Sequence, residues 1–190
     1  MDDIHEKIII LDFGSQYTQL IARRIRELNI YSQIVSYRLT PSEIRAINPS
    51  GIILSGGPAS VYEQRAPKCD SRILNLGVPV LGICYGMQIG CELLGASVKP
   101  AKNAEYGRAN LNIVDPGEIF SGIAEPSTVW MSHADQIDVL SEEFDTLAST
   151  PSCPHAAVRH KKRPFFGVQF HPEVTHTPHG SDMIRNFLFN

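Results

Sequence analysis

The first half of the chain alternates strand signals with helix signals, and this alternation limits the fold more than any other feature. Short apolar runs such as IIIL, typical of strands buried on both faces, recur at residues 7–13, 51–55 and 78–83. Helix signals accompany them at residues 15–28, 40–43, 70–76 and 85–94. Ser15 is expected to cap the first helix, and the sequence at 40–43 (TPSE) predicts a capping box. Such units with short connections predict a parallel sheet covered by helices on both faces.

The second half of the chain predicts further strands and one last helix. Residues 108–114 alternate polar and apolar side chains, residues 127–131 look extended, and residues 156–170 predict a hairpin. Residues 182–189 have helical spacing and end without a Gly or Pro stop signal, which suggests that a longer chain was cut here. We predict one α/β domain over residues 1–190, with an open, mostly parallel mixed sheet and helices on both faces.

Composition excludes several classes of protein. A hydrophobic fraction of 43% is too high for disorder, and a net charge of −3 argues against a nucleic-acid-binding surface. The basic run at residues 160–163 fits a solvated turn. The acidic start Met1-Asp2-Asp3 does not resemble a signal peptide, and the apolar runs are too short to span a membrane. Four cysteines without a CxxC pair indicate reduced thiols, so we expect a cytoplasmic protein.

Cys84 is the strongest candidate for a reactive side chain. It lies at the centre of Gly82-Ile83-Cys84-Tyr85-Gly86, between a predicted buried strand and a predicted helix. A Gly-x-nucleophile-x-Gly sequence at this junction predicts a tight turn that lifts the nucleophile above the edge of the sheet. The positive end of the following helix favours the thiolate form. The alternative is a small buried cysteine with a packing role.

His171 and Glu173 are the candidates for activating that thiol. His171 lies at the end of an apolar strand, where catalytic groups of open α/β sheets gather. Pro172 is expected to hold the backbone extended, so that His171 and Glu173 project to the same side. Glu173 would then accept a hydrogen bond from one ring nitrogen, and the other would exchange a proton with the thiol. The sequence therefore predicts a Cys-His-Glu triad.

A glycine pair follows the strand at residues 51–55 and suggests a site for backbone donors. Gly56 and Gly57 can turn N–H groups toward a ligand, and Tyr85, directly after the candidate nucleophile, offers a second donor. Two such donors would form an oxyanion hole. Taken alone, the pair is better explained as a turn that leaves the strand.

The other cysteines and histidines are weaker candidates. Cys91 is most simply a core residue, and Cys69 and Cys153 have no matching ligands in the sequence. His133 could contact a substrate or act as a structural polar residue. The histidines between residues 171 and 179 are interleaved with prolines and lack a fourth ligand at zinc spacing, so we predict no metal site.

Three segments together resemble the motifs of class I glutamine amidotransferase domains: LSGGP around Gly57, GICYGMQ around Cys84, and GVQFHPE around His171. The resemblance extends from residue 8 to about residue 188. The resemblance is more specific in three longer stretches, which are similar to the glutaminase domains of GMP synthetases, nearest to the bacterial fused form. These stretches are residues 11–27, 129–137 and 167–177. It implies a flavodoxin-like version of the predicted fold.

The resemblance also implies a reaction. Such domains hydrolyse the side-chain amide of glutamine to glutamate and ammonia through a thioester on the cysteine, here Cys84. The oxyanion would be held by the backbone N–H groups of Gly57 and Tyr85. By the same resemblance, the substrate-binding residues would be Gln88, Ser132, Ala134 and Asp135. Gln88 could instead brace the turn at Cys84.

A partner is implied as well. In the family, ammonia passes to an ATP pyrophosphatase (synthetase) domain or subunit that uses ATP and magnesium to convert xanthosine monophosphate to GMP. This sequence lacks that domain, so we expect neither ATP nor a metal to bind within these residues. Whether the chain is an excised domain or a separate subunit stays open. Two other functions also stay open: a stand-alone γ-glutamyl cysteine hydrolase, and a regulatory domain that binds glutamine without hydrolysing it.

Overall fold

A computed structural model describes residues 6–189, and nine strands within this range form one sheet. The first five are β1 Lys7–Asp12, β2 Tyr31–Ser36, β3 Gly51–Leu54, β4 Val80–Ile83 and β5 Ser97–Ile113. The others are β6 Ser127–Val139, β7 Phe144–Ser149, β8 Ala157–His160 and β9 Phe165–Val168. The α-helices are α1 Thr18–Glu27, α2 Pro41–Ile47, α3 Tyr85–Leu93 and α4 Gly180–Phe189, and a 3₁₀ helix spans Ser71–Asn75. The residues that argued against a signal peptide, Met1 to Asp3, lie outside the described range.

The sheet has a parallel part and an antiparallel part, in the order β2-β1-β3-β4-β9-β8-β7-β5-β6. Strands β2, β1, β3, β4 and β9 run parallel to one another. From β9 onward the pairing is antiparallel, through β8 and β7 to the long β5–β6 ribbon. The predicted α/β fold with a mixed sheet is confirmed, and so is the hairpin predicted over 156–170.

Helices cover both faces of the sheet because β1 and its neighbours are apolar on both sides. Ile8 and Ile10 of β1 pack with α1 and α4 in one buried cluster. Ile9 and Leu11 pack with α2, α3 and the 3₁₀ helix in the other. Within the described range, no helix is both long enough and apolar enough to cross a membrane.

The structure differs from the local sequence predictions in two respects. Strands β2 and β7 were not predicted; β2 lies at the edge of the sheet and is largely half-buried or exposed, so it lacks a continuous apolar run. Ser15 does not cap α1, which begins at Thr18 after Tyr17 and has no side-chain cap. The Ser15 hydroxyl instead accepts a hydrogen bond from the Tyr17 amide, which forms the turn before the helix. The capping box at Thr40 and Glu43 is present as predicted.

Candidate active site

Cys84 lies in a strained turn between β4 and α3. Its backbone has φ 52° and ψ −110°, a conformation that L-residues with a side chain rarely adopt. A Cβ on Gly86 would lie 2.1 Å from the Leu54 carbonyl oxygen, and one on Gly82 would lie 2.6 Å from the Gly86 carbonyl oxygen. The two flanking glycines are therefore required for β3, β4 and α3 to approach so closely. This is the turn that the sequence predicted.

The Cys84 sulfur is surrounded by groups from two other parts of the chain, strand β6 and the segment that follows β9. The thiol lies 3.7 Å from the backbone carbonyl oxygen of Ser132 on β6. The side-chain amide of Gln169 donates to the sulfur at 3.7 Å. His171 lines the same cleft as Cys84, and its imidazole is close enough to interact with the thiol. Gln169 had no predicted role; the signal available in the sequence is its amide side chain at the end of a buried strand, two residues before His171.

His171 and Glu173 form a buried pair beside the cysteine. Nδ1 of His171 lies 2.7 Å from Oε1 of Glu173, and both side chains are almost fully buried. The predicted contact is thus present, but the expected extended backbone at Pro172 is wrong, since residues 172 and 173 form a turn. A Cβ on Gly180, at the start of α4, would lie 1.9 Å from the Pro172 carbonyl oxygen, so α4 packs directly against this turn.

Backbone contacts hold this pair in place. The His171 amide donates to the Trp130 carbonyl oxygen of β6 at 3.0 Å, and the Thr177 hydroxyl donates to the His171 carbonyl oxygen at 2.7 Å. Nε of Arg24 on α1 donates to the Glu173 carbonyl oxygen at 3.0 Å. Helix α1 and strand β6 therefore position the histidine segment from two sides.

The environment of His171 favours its protonated form. Burial on its own lowers the pKa of the imidazole. Hydrogen bonds to Cys84 and Glu173 and the negative charges of these two groups outweigh burial and raise the pKa to about 10. A cysteine paired with an imidazolium can act as a nucleophile beside a ready proton donor.

A cleft of about 470 Å³ opens above these groups. Cys84 and His171 line it, and Glu173 lies behind His171. Every other residue predicted for the site also lines the cleft: Gly57, Tyr85, Gln88, Ser132, Ala134 and Asp135. A Cβ on Gly57 would lie 2.8 Å from the Phe13 carbonyl oxygen, so this position on the cleft wall has no room for a side chain. The structure therefore brings all the predicted site residues together.

Gln88 has protein partners within the wall of the cleft. Its amide nitrogen donates to the Asp135 carbonyl oxygen at 2.9 Å and to Oε1 of Gln169 at 3.1 Å. Because Gln169 in turn donates to the Cys84 sulfur, these contacts connect α3, β6 and the end of β9 around the nucleophile. This arrangement favours the bracing role for Gln88.

The Asp135 carboxylate accepts hydrogen bonds from a loop that the sequence did not single out. The Tyr62 hydroxyl donates to Oδ1 at 2.8 Å, and the Ser60 hydroxyl donates to Oδ2. The loop that follows Gly57 thus closes one side of the cleft. No local sequence signal could reveal this contact, because the partners are separated by more than 70 residues.

Another group of potential ligands borders the cleft, and one of its members, His133, lines the cleft. Glu105, His133 and Cys153 each place one ligand atom within 4.8 Å of the others. The expectation that Cys153 has no matching ligands is therefore wrong, because β5 and β6 bring a carboxylate and an imidazole to it.

The sequence relatives of this chain point to one family. Residues 9–190 match the family glutamine amidotransferase class-I. The GMP synthase [glutamine-hydrolyzing] of Caldanaerobacter subterraneus subsp. tengcongensis is 56% identical over 97% of this chain and 36% of its own length. That of Rippkaea orientalis is 54% identical over 97% of this chain and 34% of its own length. The chain spans about a third of the length of these curated relatives.

Solved structures agree with this result. A Thermoplasma acidophilum protein assigned as one subunit of a GMP synthase has a TM-score of 0.85 and 35% identity, over 97% of this chain and 92% of that one. A glutamine amidotransferase from Thermotoga maritima has a TM-score of 0.79 at 20% identity, over 97% of this chain and 96% of that one, and supports the fold alone. The resemblance seen in the three sequence motifs is confirmed. The chain belongs to the class I glutamine amidotransferases, a family of enzymes.

Proposed function

We propose that this chain is the glutaminase unit of a GMP synthase, in which Cys84, His171 and Glu173 hydrolyse glutamine. The observation that carries the proposal is the strained turn of Cys84 beside the buried pair of His171 and Glu173, at the base of one cleft. The names of the curated relatives and of the Thermoplasma protein support the GMP synthase assignment.

The first half of the proposed reaction forms a thioester. The Cys84 thiolate attacks the side-chain amide carbon of glutamine, and the oxyanion that develops is stabilised by the backbone N–H groups of Gly57 and Tyr85. As the carbon–nitrogen bond breaks, the His171 imidazolium gives its proton to the departing nitrogen, which leaves as ammonia. The raised pKa of His171 supports this role, because it keeps a proton on the ring at neutral pH.

The second half hydrolyses the thioester. The neutral His171 ring takes a proton from water, which attacks the thioester carbon and passes through a second oxyanion in the same hole. The carbon–sulfur bond then breaks, which releases glutamate and regenerates the thiolate. Glu173 orients His171 and stabilises its positive charge throughout. These steps use protein groups and water, so we propose that glutamine hydrolysis here needs no cofactor.

The substrate would be held at its amino-acid end by the walls of the cleft. We assign the α-amino and α-carboxylate groups of glutamine to Gln88, Ser132, Ala134 and Asp135, which line the cleft with Cys84. The Asp135 carboxylate has the charge needed for an ammonium group. Gln88 would act partly through Asp135, because it donates to the Asp135 carbonyl oxygen.

The partner would be an ATP pyrophosphatase domain or subunit that takes up the ammonia in the cytoplasm. We propose that residues 1–190 form a single glutaminase domain, and that ATP and magnesium bind in the partner. Because unregulated hydrolysis would waste glutamine, we expect weak glutaminase activity in the isolated chain. Adding the synthetase portion of a relative, with xanthosine monophosphate and ATP, should raise the rate of ammonia release.

A glutamine-analogue electrophile tests the catalytic assignment directly. We expect one equivalent of label on the wild-type chain, found on Cys84 by mass spectrometry and lost in Cys84→Ala. Cys69→Ala is the matched control and should label normally. Glutamine binding without any labelling would instead favour a regulatory binding domain. Faster cleavage of γ-glutamyl peptides than of free glutamine would favour a stand-alone γ-glutamyl hydrolase.

A further inference from the structure

A polar cluster built from Glu105, His133 and Cys153 borders the cleft, which His133 lines, and has no part in the proposed reaction. Glu105 on β5 and His133 on β6 face each other across the antiparallel ribbon, and Cys153 follows β7. A carboxylate oxygen, a ring nitrogen and the sulfur all lie within 4.8 Å of one another. The His133 and Glu105 side chains are 2% and 14% exposed, and Cys153 is buried.

The hydrogen bonds of His133 determine which ring nitrogen faces the cluster. Nδ1 lies 2.9 Å from the backbone carbonyl oxygen of Asp135, which can only accept, so Nδ1 carries a hydrogen. In the neutral ring, Nε2 then presents a lone pair. It points at Oε2 of Glu105, 3.3 Å away, which is also an acceptor. Two acceptors at this distance need a proton or a cation between them.

The sulfur of Cys153 favours a cation. A proton shared between Nε2 and the carboxylate would leave the thiol with no role in the cluster. A cysteine sulfur, an imidazole nitrogen and a carboxylate oxygen are together the ligand types of zinc-like divalent cations. Three protein ligands also leave a fourth tetrahedral position for water.

Outer contacts orient the ligands as they do in known metal sites. The Thr150 hydroxyl contacts both carboxylate oxygens of Glu105, at 2.9 and 3.1 Å, and accepts a hydrogen bond from the Cys153 amide at 3.0 Å. The Asp135 carbonyl fixes the tautomer of His133. Partners of this kind, a hydroxyl on the carboxylate and a carbonyl on the free ring nitrogen, set the direction of metal ligands.

We propose that Glu105, His133 and Cys153 bind a divalent cation of the zinc class. On binding, the sulfur forms a bond to the cation and the thiol proton is released to solvent. This departs from the sequence-based expectation of no metal, which could not see that residues 105, 133 and 153 converge. The proposed role of the cation is structural. Ser132, which directly precedes His133, contacts the Cys84 sulfur through its backbone carbonyl. A cation bound to His133 would therefore fix the strand that faces the nucleophile.

Cobalt titration tests the proposal in a background that lacks the reactive thiol. The Cys84→Ala chain, treated with a chelator and dialysed, is titrated with Co²⁺. We expect one equivalent to produce tetrahedral cobalt bands in the visible and a thiolate charge-transfer band in the near ultraviolet, both removed by Zn²⁺. Adding Cys153→Ser should abolish the charge-transfer band, and adding Cys69→Ser, another buried free cysteine, should leave it unchanged.

A second variant keeps the test decisive if Cys153→Ser does not fold. Glu105→Gln retains shape but loses the charge, and it should weaken Co²⁺ binding at least about tenfold, since even outer-contact changes cost ~10- to 100-fold. Zn²⁺ should also raise the midpoint of thermal unfolding of the Cys84→Ala chain. It should not raise the midpoint once Glu105→Gln is added. The proposal is overturned if the Cys84→Ala chain binds no stoichiometric metal. It is also overturned if metal binding is unaffected by Cys153→Ser and by Glu105→Gln. None of these readouts depends on glutaminase activity, so they test the site separately from the proposed function.

Discussion

The Glu173 carboxylate is hydrogen-bonded to the His171 ring, with Oε1 2.7 Å from Nδ1, and Glu173 is fully buried. Its other oxygen, Oε2, has no hydrogen-bond partner among residues 6–189. Among the described residues, His171 is therefore the one hydrogen-bond partner of the carboxylate. Because the carboxylate accepts, Nδ1 carries a proton and Nε2 is the nitrogen left to serve Cys84.

Changing Glu173 to Gln should slow catalysis while keeping the shape of the site. The amide is isosteric but cannot stabilise the imidazolium, so we expect alkylation of Cys84 by a glutamine-analogue electrophile to slow by about 10²- to 10⁴-fold. The rate is measured by mass spectrometry against time, with circular dichroism to verify folding. Glu92→Gln, which changes a surface ion pair with Lys68, is the control and should react at the wild-type rate. A Glu173→Gln chain that also kept that rate would disprove the positioning role.

The raised pKa of His171 should depend on its two partners, Cys84 and Glu173. With a pKa of about 10, the folded chain keeps the imidazolium up to high pH, whereas an ordinary imidazole loses its proton above about 6.5. Removing either negative partner should lower this pKa, so the ring in Glu173→Gln and in Cys84→Ala should titrate at lower pH than in the wild type. Nuclear magnetic resonance titration of ¹⁵N-labelled histidine measures this. A wild-type midpoint near 6.5 would contradict the prediction.

The turn at Cys84 could be predicted from the sequence because its requirements are local. The apolar strand, the two glycines and the following helix all lie within residues 78–94, and each favours the same geometry. The contact between His171 and Glu173 was also predicted, but from an extended backbone at Pro172, where the structure has a turn. Its turn depends on the close packing of Gly180 against Pro172, which involves a helix that begins seven residues after Glu173.

The remaining walls of the site depend on contacts between distant segments. Asp135 meets Ser60 and Tyr62 across separations of 75 and 73 residues, and Glu105 meets His133 because the pairing of β5 with β6 places them opposite each other. A single sequence carries no periodic signal for such pairs. The same holds for β2, whose half-buried side chains give no apolar run, although it completes the parallel edge of the sheet.

Gly86→Ala should prevent the native turn from forming. A methyl group would lie 2.1 Å from the Leu54 carbonyl oxygen, and this backbone cannot move without separating α3 from β3. We expect loss of cooperative unfolding in urea and loss of Cys84 labelling. Gly95→Ala is the control: its φ of +96° is strained for alanine, but its Cβ position is open, so we expect a cost of only about 1–2 kcal/mol. A Gly86→Ala chain as stable as Gly95→Ala would show that the turn tolerates a side chain.

Gln88→Glu should disturb both stability and the nucleophile, because it replaces a donor with an acceptor. The Gln88 amide donates to the Asp135 carbonyl oxygen and to the Gln169 side chain, and a carboxylate would face two acceptors in a buried site. We expect the free energy of unfolding to fall by about 1–3 kcal/mol, the usual cost of leaving buried polar groups unpaired. Labelling of Cys84 should also slow, since Gln169 contacts its sulfur. Gln64→Glu, on an exposed loop, provides the control in the same urea titration and should change stability by less than about 0.5 kcal/mol. If Gln88→Glu unfolds at the same urea concentration as Gln64→Glu, the bracing role of Gln88 is wrong and its contribution must come from contact with the substrate.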